Sequence, residues 1–75
     1  MTTLRLSDPE LRDLLIADLR TRIDLVVEPV DQNTIEVSLL GSYSLEAMRL
    51  AIDLRVRAWE ATQRAAGRTI RVELV

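Results

Sequence analysis

A chain of 75 residues, 48% hydrophobic, makes one small domain near the lower size limit for folding alone, and that composition argues against disorder. There is no cysteine and no histidine, and ten arginines stand against twelve acids for a net charge of −2. These counts exclude disulfides, thiolate metal sites and cysteine nucleophiles, and the interleaved charges offer no basic patch to a phosphate backbone.

In chain order, Thr3 to Leu6 alternates and predicts a short strand. Ser7-Asp8-Pro9-Glu10 predicts a helix start with Ser7 capping the Glu10 amide. That helix is expected to run to about Arg22, with Leu11, Leu14, Leu15 and Leu19 on one side. Asp24 to Val30 is strand-like, and Pro29, which cannot donate to a ladder, makes it an edge strand. Asp31 to Thr34 forms a hairpin turn in which Asn33 tolerates a left-handed conformation. Ile35 to Leu39 is the third strand, ended by Gly41. Ser44 then caps a long helix to about Ala66, stopped by Gly67, and Thr69 to Leu74 is the last strand.

The order βαββαβ, joined by right-handed crossovers, predicts an α+β fold. We expect a ferredoxin-like plait, one four-stranded antiparallel sheet covered by two helices on one face. Its strand order, 4-1-3-2, places the second strand at an edge, as Pro29 requires. If the first strand fails to form, the alternative is a three-stranded αββαβ domain.

Catalysis near neutral pH needs a group that titrates or attacks there, and the chain has no His, Cys or Lys. Ser7, Ser38, Ser42 and Ser44 have no base to activate them. No ligand spacing points to a metal, two glycines cannot build a phosphate-cradling loop, and the strands carry no aromatics for stacking RNA bases. The expectation is therefore a protein that is not an enzyme and takes no cofactor, metal, nucleic acid or membrane as partner. The start of the chain lacks a signal-peptide pattern and its apolar runs are short, so a cytoplasmic location is expected. The exclusive use of arginine reads as high-GC coding, as in many bacteria.

Two resemblances accompany this reading. Ile35-Glu36-Val37-Ser38-Leu39-Leu40-Gly41 resembles the strand-to-glycine step of BON domains, although their Gly-Val step before the last strand is missing here. LRLSDPELRDLL and LRVRAWEATQRAAGRTIRV resemble the effector-associated constant-component domains of bacterial conflict systems, a resemblance that implies an adaptor.

The long helix is the informative element. From Ser44 to Ala66 it would reach roughly 34 Å at about 1.5 Å per residue, whereas six-residue strands span about 20 Å. It must overhang, tilt or break. Leu45, Met48, Ile52, Val56 and Trp59 share one stripe, expected to lie on the sheet with Trp59 in the core. A second stripe holds Ala47, Leu50, Ala51, Leu54, Ala58, Ala61 and Ala65, small enough for another helix to approach closely. Glu46, Arg49, Asp53, Arg57, Glu60 and Arg64 are expected opposite both stripes, in solvent. Arg55, between the stripes, is expected to lay its stem on apolar surface and pair with Asp18 or Asp13. Tyr43 is expected to staple onto the first turn. On the helix-free sheet face, Arg5 lies between Glu36 and Glu73 for cross-strand pairing.

A core this small commonly gains stability by oligomerisation. The expected function is a non-enzymatic protein–protein interaction module that self-associates through its long helix, with Trp59, Arg55, Ala58, Ala61, Leu54 and Tyr43 as the interaction candidates. The edge of the last strand is the fallback surface. A small-molecule sensor binding its ligand at a dimer interface, near the hydroxyls of Gly41-Ser42-Tyr43-Ser44, is the alternative.

Overall fold

The structure, a computed structural model, describes residues 2–41 and 44–75. Strand β1 spans Thr2–Leu6, a single 3-10 turn spans Pro9–Leu11, and α1 spans Arg12–Leu19. Then come β2 (Leu25–Pro29), β3 (Thr34–Leu39), α2 (Leu45–Ala65) and β4 (Val72–Leu74). The strands form one four-stranded sheet in the order β2-β3-β1-β4, and every pairing is antiparallel. β1 is formed and central, which sets aside the three-stranded alternative, and β2 with its Pro29 lies at an edge as predicted.

Alternation decides which sheet face is buried. Leu4 and Leu6 of β1, Val27 of β2, Ile35 and Val37 of β3 and Val72 of β4 point to one side. Leu11, Leu15, Ile16 and Leu19 from the first helical segment join them, as do Ile52, Val56 and Trp59 from α2, in one core. Both helices therefore cover the same face.

Local departures from the sequence reading have physical causes. Asp8, not Ser7, caps the first helical segment, its carboxylate accepting from the Glu10 N–H at 3.0 Å. Ser7 is held elsewhere, its Oγ accepting from the Arg71 N–H at 3.0 Å. The segment begins as a 3-10 turn and its α-helix lasts 8 residues, ending at Leu19 rather than Arg22. The Thr21 hydroxyl takes the Asp18 carbonyl at 2.7 Å, satisfying an end that the helix no longer continues. Leu14 is 46% exposed, and Ile16 takes its expected place in the core. β4 has 3 residues instead of the six expected from Thr69. Arg71 is the last position β1 can reach, its carbonyl accepting from the Ser7 N–H at 2.9 Å before the chain turns into the Asp8 cap.

Asn33 does not use a left-handed backbone; no described residue other than glycine has positive φ. It works as a bridge instead: its carbonyl accepts from the Leu6 N–H at 2.8 Å and its Nδ2 donates to the Leu6 carbonyl at 3.3 Å. Asp31 shapes the same turn, its Oδ1 accepting from the Asn33 N–H at 3.0 Å. That bond, followed by one with the Thr34 side chain, holds the Asp31 carboxyl below its ordinary value of 3.8. A carboxyl lowered on folding contributes stability that is present above the ordinary value and lost as pH falls through the folded one. The Asn33 amide resonance is therefore expected to titrate with a midpoint below 3.8. A midpoint at or above that value would mean the bond does not form in solution.

α2 is unbroken over 21 residues, capped by Ser44, whose Oγ accepts from the Ala47 N–H at 3.1 Å. At its other end the Gly67 N–H bonds to the Arg64 carbonyl at 3.0 Å and the Arg68 N–H to the Gln63 carbonyl at 2.9 Å. This pair of bonds is the Schellman pattern, and it requires the φ of 84° that Gly67 supplies. At about 1.5 Å per residue the helix is about 32 Å long, against roughly 17–20 Å for the strands beneath it. The excess lies at the N-terminal end. Leu45, expected on the sheet, is 60% exposed because no strand of the described residues reaches it. Met48 is half-buried, with its sulfur 3.4 Å from the Leu39 N–H.

Candidate interaction surface

Helix α2 is apolar on two opposite faces. Its inner face carries Ile52, Val56 and Trp59, and Trp59 is 5% exposed, a core side chain. Counting about 100° per residue, Ala47, Leu50, Leu54, Ala58, Ala61 and Ala65 all fall within roughly 55° of the diametrically opposite direction. All six are exposed, and Leu50 and Leu54 reach 61% and 64%. Ala51, at the margin of this stripe, is half-buried. An outer face normally carries the polar residues of an amphipathic helix; here it carries leucine and alanine.

The charged row that was expected opposite the core lies to one side instead, over β4. Glu60, expected in solvent, is buried. Its Oε2 accepts from the Val72 N–H at 2.7 Å and its Oε1 accepts from Arg57 Nη1 at 2.6 Å. The same Arg57 Nη1 donates to the Val72 carbonyl at 3.0 Å, and Arg57 also pairs with Asp53 at 3.2 Å. The Glu60 carboxylate holds the Arg57 guanidinium above its ordinary pKa. Residues 57 and 60 are thus a clip on the edge strand. In β4 the Ser7–Arg71 and Thr3–Val75 bonds turn odd-numbered residues toward β1, so the Val72 N–H and C=O point outward, and the clip occupies both. The last strand is therefore clipped at Val72 and is not the fully open edge the sequence implied.

The opposite edge is blunted too. The Val27 carbonyl accepts from Arg20 Nη2 at 3.1 Å, and Pro29 has no N–H to offer. Occupied groups and proline are ways of keeping a sheet from growing edge to edge.

Arg55 ties the two helices together. Its Nη2 donates to the Thr21 hydroxyl at 3.0 Å and to the Asp18 carbonyl at 3.3 Å, placing a cation on the carbonyl end of α1. Its Nε lies 3.3 Å from Asp18 Oδ2, an ion pair whose angle falls outside hydrogen-bond geometry. Asp18, not Asp13, is its partner.

Of the six interaction candidates, Leu54, Ala58 and Ala61 share the outer stripe, Arg55 lies on the flank toward α1, and Trp59 faces inward. Tyr43 and the neighbouring Ser42 lie outside the described residues. Leu50 shares this outer face with Leu54 although it is not among the sequence candidates, and its exposure follows from the same helical periodicity. The clip was not legible in that way. Glu60 stands three residues after Arg57 like any surface ion pair, and only its wheel position about 40° from Val56 marks it as partly inward.

The cavities are open. A depression of 110 Å³ is lined by Arg5, Leu6, Ser7, Arg71 and Glu73, and a groove of 590 Å³ runs along the clip. Arg5 lies directly opposite Glu73, with Glu36 opposite Thr3. Among the described residues no acidic group clusters as a metal site would, and no helix is long and apolar enough to cross a membrane. No protein-family model, curated protein or solved structure matches this chain.

Proposed function

We propose that this chain is a ferredoxin-like plait whose function is non-enzymatic protein–protein interaction, beginning with its own self-association through α2. The observation that carries the reading is the outer face of α2, where Leu50 and Leu54 stand more than half exposed in line with four exposed alanines. Exposed apolar surface in a line, backed by a rigid helix, is what a helix-in-groove or helix-pair contact uses. Two further observations support it. The sheet edges are blunted, which turns association away from strand addition, and the helix extends past its own sheet, which leaves Leu45 exposed beyond the core. The plait is supported by the element order and by the strand order β2-β3-β1-β4.

A charge on this face should separate the copies without disturbing the inner stripe. Ala58→Glu, on the exposed side of the helix, is expected to convert a self-associated species to monomer in size-exclusion chromatography while the melting temperature of the dissociated chain is kept. Ala61→Glu should do the same. If both variants elute as the unmodified chain does, the α2 face is not the contact.

A further inference from the structure

The outer stripe of α2 is unequal along its length. Its first half carries Leu50 and Leu54, and its second half carries only Ala58, Ala61 and Ala65. We infer that the occupant of this face is a second copy docked with its α2 antiparallel, each copy's leucines seated over the other's alanines; this rests on the self-association reading above. A parallel pair would press leucine against leucine at one end and leave the alanines facing each other across a gap at the other. Interiors tolerate neither overlap nor void. Turned antiparallel about a point between Leu54 and Ala58, the stripe becomes complementary to itself, and the alanines let the axes approach to about 8 Å.

Charge gives an independent argument for the same orientation. Glu46 and Arg64 are 18 residues apart, five whole turns at 3.6 residues per turn, so they stand on one flank at opposite ends of the helix. Both are exposed, and neither joins the ion pairs of the described residues. In an antiparallel two-fold pair, like flanks face each other. Glu46 of one copy then meets Arg64 of the other, twice over. In a parallel pair that flank would face the Arg55 side of the neighbouring helix, and Arg55 is already paired with Asp18. Opposed helix dipoles also favour the antiparallel arrangement.

The chain has no cysteine, so introduced ones report without background. Ala47→Cys and Ala65→Cys both lie on exposed alanines of the outer face. In the antiparallel pair, position 47 of one copy meets 65 of the other, within the roughly 7 Å that a disulfide spans. The two copies of position 47 are about 27 Å apart by the rise per residue. Oxidising an equimolar mixture of the two single variants should give the mixed disulfide, and each variant alone should stay unlinked. Self-linking of Ala47→Cys would overturn the orientation in favour of a parallel pair. No linking in a mixture that still sediments as a dimer would overturn the docking face and leave self-association standing on another surface. No linking in a chain that sediments as a monomer would overturn both.

Discussion

Trp59→Ala is expected to cost about 3–5 kcal/mol, the usual loss for deleting a buried aromatic. The indole is 5% exposed, in a core of fourteen buried apolar side chains among the described residues, to which it and Ile52 and Val56 are the contribution of α2. A domain of this size has a total stability near the lower end of roughly 5–15 kcal/mol, so the variant should be left with about 0–2 kcal/mol, marginally folded at ambient temperature and unfolded by little urea. Circular dichroism with a urea titration reads this directly. A variant that keeps its helical signal and its midpoint would mean that Trp59 does not fill the core, and the placement of α2 on the sheet would have to be abandoned. Trp59→Leu, which retains most of the apolar volume, should lose less.

Glu60→Ala is expected to cost about 1–3 kcal/mol, because it leaves the Val72 N–H without the acceptor that replaced water. The carboxylate oxygen lies 2.7 Å from that amide, and the Glu60 side chain is 8% exposed. The change should also accelerate hydrogen exchange at Val72 relative to Glu73, whose amide faces β1. Glu60→Gln keeps an acceptor but loses the charge that holds Arg57, so it should fall between the two. At raised concentration Glu60→Ala should form sheet-edge aggregates that the unmodified chain does not, since the outward groups of β4 are released. Unchanged stability together with unchanged Val72 exchange would show that the clip does not hold the edge.

Much of the fold was legible because several independent signals agreed. Pro29 demanded an edge, the βαββαβ order placed that strand at one, and the clean alternation of Ile35 to Leu39 put Ile35 and Val37 inside. Ser44 and Gly67 bracketed α2 correctly because a hydroxyl cap and a left-handed glycine have strong local causes. The failures came where a tertiary partner competes with a local preference. Ser7 is a good cap by type, but Arg71 claims its hydroxyl from 64 residues away and the neighbouring Asp8 takes the role. Thr69 to Leu74 alternates convincingly, yet a strand is only as long as the neighbour it pairs with, and β1 has already turned away. Leu45 shares the inner wheel position with Ile52 but stands past the end of the sheet, a fact about the third dimension that helical periodicity does not contain.

The same limit governs the interaction surface. The wheel separated two apolar stripes from one charged row, and which of the three faces outward depended on what lies beside α2. Arg57 and Glu60 turned out to have a strand to hold, and the leucine and alanine stripe was left on the outside. An apolar outer face beside an edge strand clipped at Val72 carries the self-association proposal.

Sedimentation equilibrium of the unmodified chain tests that claim most directly. A helix-pair contact buries area at the low end for specific interfaces, below about 1,200 Å², so the loading series should extend to on the order of 100 μM. The expected result is a weight-average mass that rises with concentration toward twice the 8.5 kDa of one chain. A single species at 8.5 kDa across the whole series would contradict it.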